Sequence, residues 1–148
     1  MSKWVTKLWP KLQKRLWKFS QHTVTLDSPG TAREKIEKLS DNIVRIAFTD
    51  ESSIYSLIMV QAMTQGKGIP GLIEYFYQHS AHYNELPSLI TEAQKSGEAA
   101  QGDPDVLALT YISLFQGFTL FLLQDNELKQ KITAKIFTNV LRNPGKSK

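Results

Sequence analysis

Residues 90–124 read ITEAQKSGEAAQGDPDVLALTYISLFQGFTLFLLQ, and this stretch decides the fold. It opens on the last turns of a helical pattern that places Leu89, Ile90 and Ala93 on one face. Gly97 stands where a helix C-terminus takes a left-handed residue. Asp103-Pro104 then starts a second helix, with an acid that can accept from the first free amides. The proline follows at a position where no backbone N–H is needed. From 106 to 124 there are 19 residues without a charge. Two helices joined by a short capped loop are predicted.

The same punctuation extends in both directions. Downstream, Asp125 is placed to cap a last helix on which Leu128, Ile132, Ile136 and Leu141 repeat. Upstream, Leu72, Ile73, Phe76, Ser80 and Tyr83 share one side of a helix that Pro87 is expected to interrupt. Gly66-Lys67-Gly68-Ile69-Pro70-Gly71 stops the helix before it, which begins around Ser52 and carries Ile54, Leu57, Ile58 and Ala62. Thr31-Ala32-Arg33-Glu34 has capping-box spacing, and Ile36, Leu39, Ile43, Ile46 and Ala47 follow on one face. Asp27-Ser28-Pro29-Gly30 closes a first helix over 2–22, where Val5, Leu8, Leu12, Leu16 and Phe19 align and Pro10 kinks the helix or begins its regular part. No segment alternates with period two. The expectation is an all-α chain of about six helices forming one domain over 1–148.

Composition narrows the function. Hydrophobic residues make up 41% and charged residues 22%, a balance that supports a packed core and excludes disorder. Without a cysteine there is no disulfide, thiolate metal site or cysteine nucleophile. The N-terminal apolar residues are interleaved with Lys3, Lys7, Lys11, Lys14, Arg15 and Lys18, unlike a signal peptide, and a cytoplasmic location is expected. Those six basic residues face no acid in 1–26, and six more face none in 128–148; between 39 and 127 three basic residues meet eleven acids. Basic ends therefore flank an acidic middle, which fits either a polyanion partner or solvated outer helices.

The uncharged run sits at the lower edge of the length that spans a bilayer. Thr110, Ser113, Gln116, Gly117 and Thr119 dilute it, and Asp105 and Asp125 flank it without a basic anchor, so burial inside a domain or at a subunit interface is expected and no membrane partner. His79, His82 and Glu85 recur at three-residue spacing and could approach one metal, but the spacing alone does not complete a site, and no metal or cofactor is expected. Gly66, Gly68 and Gly71 match a dinucleotide fingerprint in spacing with no strand ahead of them, which leaves them as a helix breaker. With no nucleophile elbow either, an enzyme is not expected. Trp4, Trp9 and Trp17 among the basic residues suit a helix lying on an anionic membrane or stacking on nucleic acid, while the apolar stripe from 5 to 19 suits docking on a core.

The ordered set of residues 90–98, Asp103-Pro104-Asp105 and the apolar helix containing Gly117 resembles the C-terminal domain of TetR-family transcriptional regulators. In that family an Ile-bearing helix ends in Gly-Glu and leads through a short loop to a capped apolar helix with an internal glycine. The resemblance covers nearly the whole chain. Ser2-Lys3 looks like the close of the three-helix DNA-binding head that a full member carries, and no such head lies in these residues, so operator DNA is expected as a partner only through it. The resemblance implies an effector cavity walled by segments 1–22, 31–49, 69–97 and 104–124. Tyr75, Phe76, His79, Tyr83, Phe115, Gln116 and Phe118 would form an aromatic wall with polar handles for a small hydrophobic or aromatic effector, and Met59 and Met63 an adaptable lining. Each of these residues serves equally well as ordinary core. The resemblance also implies a homodimer built on the last two helices. Ser113 and Gly117 would permit close approach, and Leu109, Leu120, Phe121, Ile132, Ile136 and Val140 would complete a four-helix contact.

Overall fold

The computed structural model describes residues 27–48, 81–122 and 125–146, together with 7, 10, 11 and 14. The chain is all-α, with five helices and no strand among the described residues. The helix α1 (Ala32–Ala47) starts at Thr31, whose hydroxyl accepts from the Glu34 amide at 3.2 Å while the Glu34 carboxylate accepts from the Thr31 amide at 2.9 Å. Two amides that no helix turn can satisfy are thus paired, as the spacing of Thr31 and Glu34 predicts. Ile36, Leu39 and Ile43 are buried on one face.

The next described helix, α2 (Ala81–Lys95), runs through Pro87. This differs from the interruption expected at that position. A proline lacks one amide donor, which weakens a helix without severing it where the turns on both sides are held by packing. Leu86 lies before Pro87 and Leu89, Ile90 and Ala93 lie after it, all fully or almost fully buried. The helix ends in a Schellman turn: Gly97 has φ +72°, its amide donates to Gln94 O at 2.9 Å, and the Glu98 amide donates to Ala93 O at 2.8 Å. The Gln94 side chain holds the following loop by donating to Ala100 O and Gly102 O at 2.8 and 2.9 Å.

Asp103 and Pro104 open α3 (Pro104–Phe121), with the Asp103 carboxylate accepting from the amides of Asp105 and Val106 at 2.9 and 3.4 Å. Ala108, Tyr111, Ile112 and Thr119 are buried along one side. Inside that side, the Thr119 hydroxyl donates to Phe115 O at 3.0 Å, so this buried polar group has a partner.

The last segment departs from a single continuous helix. Asp125 caps α4 (Asn126–Lys129) through the Leu128 amide at 2.9 Å, but the helix stops after one turn. The chain restarts as α5 (Ala134–Thr138), after Thr133 in extended conformation, and tightens into 3-10 turns at Asn139–Leu141 and Pro144–Lys146. The break falls at Ile132-Thr133, two β-branched residues of low helix propensity. Re-aiming the chain there lets Phe137 and Leu141 reach the core, where both are almost fully buried. The C-terminal turns are tied back to the Gly97 loop: the Ala100 amide donates to Leu141 O at 2.8 Å and the Asn143 side chain to Gly97 O at 3.0 Å.

The core therefore forms where α1, α2, α3 and α5 meet. At its aromatic end Phe137 is central, with ring centroids of Phe115 and Phe118 at 5.7 Å and those of Phe48 and Tyr111 at 6.2 Å.

Candidate functional site

The outer face of α3 carries exposed apolar residues. Val106, Leu109, Ser113, Gly117 and Leu120 follow at three- and four-residue spacing, so they form one stripe opposite Ala108, Tyr111 and Ile112. Val106 is 59% exposed, Leu109 63% and Phe121 89%. These large apolar side chains are exposed on the same side of α3 as Thr110 and Ser113. Thr110 lies in the same stripe and its hydroxyl donates to Val106 O at 2.8 Å, which hides part of its polarity. No charged residue falls between Asp105 and Asp125. Gly117 is half-buried, and a Cβ built on it would meet nothing within 4 Å. Among the described residues, therefore, no neighbour requires the absence of a side chain at 117, and Ser113 beside it is exposed. By length and composition α3 is also apolar enough to cross a bilayer, with 22% of the span buried.

The residues expected at the dimer interface divide in two. Leu109, Ser113, Gly117, Leu120 and Phe121 lie on or beside this outer stripe. Ile132, Ile136 and Val140 are half-buried, and Ile132 packs against the core from the turn between α4 and α5. Leu128, 45% exposed, adds a further apolar residue to the surface.

Of the expected effector-site residues, Met59, Met63, Tyr75, Phe76 and His79 lie outside the described residues. Tyr83 is part of α2, with its side chain outside them. Phe115, Gln116 and Phe118 are half-buried in α3, Gln116 on a different side of the helix from Phe118. The rings of Phe115 and Phe118 meet Phe137 edge-on, and Phe115 also meets Phe48 at 5.8 Å. These two phenylalanines thus bridge the core and whatever lies beyond it on their side of α3. Within the histidine-carboxylate triad, His79 and the His82 side chain lie outside the described residues, and Glu85 is half-buried in α2. Among the described residues no cluster of His, Asp and Glu is arranged to hold a metal ion.

Two buried polar residues were not foreseen. Ser40, fully buried on α1, donates to Ile36 O at 2.8 Å and lies 2.8 Å from the Tyr111 hydroxyl. Burial pushes the Tyr111 phenol up to about 12. Position 40 is in register with Ile36 and Ile43, so its burial could be inferred from spacing; its partner, 71 residues away, could not. Phe48 and Phe137 were missed in the same way, since nothing local announces an aromatic cluster. No protein-family model, no curated protein and no solved structure matches this chain.

Proposed function

We propose that these residues form the effector-binding and dimerisation body of a TetR-like transcriptional repressor. The observation that carries the reading is the uncharged outer face of α3, with bulky residues at its ends and Ser113 and Gly117 in the middle. In a two-fold contact each residue approaches its own copy or a neighbour of it, so a charge on the face would be repelled by its counterpart. An uncharged stripe with a small centre suits a second copy of itself, because two helices can cross closely where Ser113 and Gly117 lie. The Schellman turn at Gly97, the loop held by Gln94 and the Asp103-Pro104 cap supply the helix–loop–helix order on which the resemblance rests.

In this reading a small, largely hydrophobic effector sits on the inner flank of α3, where Phe115 and Phe118 join the core. Effector binding favours one of two arrangements of the bundle, and the N-terminal helix passes the change to a DNA-binding head ahead of these residues. Gly117→Trp tests the interface. Since a Cβ at 117 meets nothing within 4 Å among the described residues, the variant should keep the melting temperature of the separated subunit but lose the dimer. A Gly117→Trp protein that still sediments as a dimer contradicts the interface.

A second reading has its own support. Lys7, Lys11 and Lys14, at helical spacing, are all exposed, as is Pro10 beside them. Such a face suits an anionic membrane surface. Co-sedimentation with phosphatidylserine vesicles separates the two, because a linker helix docked on a dimer body stays in the supernatant.

A further inference from the structure

Away from the α3 face, six charged side chains from three elements surround one cleft of about 480 Å³: Arg33, Glu37 and Asp41 from α1, Glu98 from the loop after α2, and Lys135 and Arg142 from α5 and the turn that follows. That volume lies within the range of small-molecule sites. Ile36, Ala93 and Leu141 give it an apolar floor. Arg33 and Glu37 satisfy each other, with Nε donating to Oε1 at 2.9 Å. The remaining charges are not paired with one another. Among the described residues the side chains of Asp41, Lys135 and Arg142 make no ion pair or hydrogen bond, and the Glu98 carboxylate accepts from the Ser96 hydroxyl at 3.0 Å.

Two acids and two bases are thus held around an apolar floor without neutralising each other. A purely anionic guest meets Asp41 and Glu98, and a purely cationic guest meets Lys135 and Arg142, so either is opposed by half of the rim. A guest carrying both charges is opposed by neither. Its length follows from the helix that lines the cleft: Arg33 and Asp41 are eight residues apart, roughly 12 Å along α1. At the far wall, the bridge between Ala99 and Arg142 sets the guanidinium-bearing residue beside the Glu98 loop, whose charge also acts on Arg33. The Phe48–Phe137 ring contact sets α5 beside the other end of α1. Acids and bases therefore both line a cleft whose α1 wall is roughly as long as an extended tripeptide, about 10 Å.

We propose that this cleft binds a short peptide with free termini, its ammonium group met by Asp41 and Glu98, its carboxylate by Lys135 and Arg142, and its apolar body on the floor. None of the cleft residues belongs to the α3 face, so the proposal stands apart from the dimer. Calorimetric titration of the full chain with trialanine tests it, beside N-acetyl-trialanine and trialanine amide. Saturable binding of trialanine is expected, weakened about tenfold, or about 1.4 kcal/mol, by either terminal block. Asp41→Asn and Arg142→Gln should each weaken it to a similar degree without moving the melting temperature, since both side chains are exposed. Absence of saturable trialanine binding overturns the proposal, as does equal binding of the blocked peptides. Tighter binding by Asp41→Asn also overturns it, by showing a simple anion site.

Discussion

Ser40 and Tyr111 show how a pair of side chains fixes the meeting of two helices. The Ser40 hydroxyl has one proton, and at 2.8 Å from Ile36 O it is spent there. Tyr111 must therefore donate to Ser40 Oγ across the 2.8 Å between them. The two substitutions are consequently unequal. Tyr111→Phe removes a donor and leaves Ser40 satisfied, at a cost of about 1 kcal/mol; Ser40→Ala strands a buried phenol and costs about 1–3 kcal/mol. Urea denaturation of both single variants and the double variant checks this, and the double should lose less than the sum. The same phenol carries a pH dependence. Its folded value of about 12 lies above the ordinary 10.0, so the folded chain keeps a proton that the unfolded chain releases. The contribution is complete below pH 10 and declines by about 1.4 kcal/mol per unit as pH rises towards 12. The stability gap between the native chain and Tyr111→Phe should therefore shrink over that window; a constant gap would show that the phenol is not held in its protonated form.

At the scale of elements, the termini of helices were the most legible features. Thr31 with Glu34, Gly97, Asp103 with Pro104, and Asp125 all take the roles that their chemistry predicts, because a cap is decided by groups three or four residues apart. Asp103→Ala should cost about 0.5–2 kcal/mol in thermal or urea unfolding, since its carboxylate serves two amides. Gly97→Ala should cost about 1 kcal/mol through its left-handed backbone, and the added Cβ would also lie 3.1 Å from Lys146 Nζ. What proved illegible were features decided by distant packing. Pro87 reads locally as an interruption, yet Leu86 and Leu89 on either side of it are buried and the helix continues. Leu128, Ile132, Ile136 and Leu141 read as one helical stripe, yet the chain breaks at Ile132-Thr133 so that Phe137 can enter the aromatic cluster. Spacing predicted the apolar character of α3 but could not say which of its sides a single chain would cover.

For the whole molecule, the proposed function rests most on the exposed apolar residues of α3. Val106, Leu109 and Phe121 remain in water unless another surface meets them, and burying a large apolar side chain is worth roughly 1.5–3 kcal/mol. Phe121→Glu should leave the fold of one subunit intact, since the side chain is 89% exposed, while placing like charges across the proposed two-fold contact. Its far-UV spectrum should match the native chain and its mass should not. On the effector side, Phe76→Ala should weaken binding of a hydrophobic ligand found by screening, and unaltered affinity would remove that residue from the site. The molar mass of the native chain in solution, measured by light scattering over a dilution series, tests the dimer body most directly. A value near twice 16.8 kDa, falling only at low concentration, is expected. A mass of 16.8 kDa at every concentration would contradict the self-associating α3 face and with it the TetR-like reading.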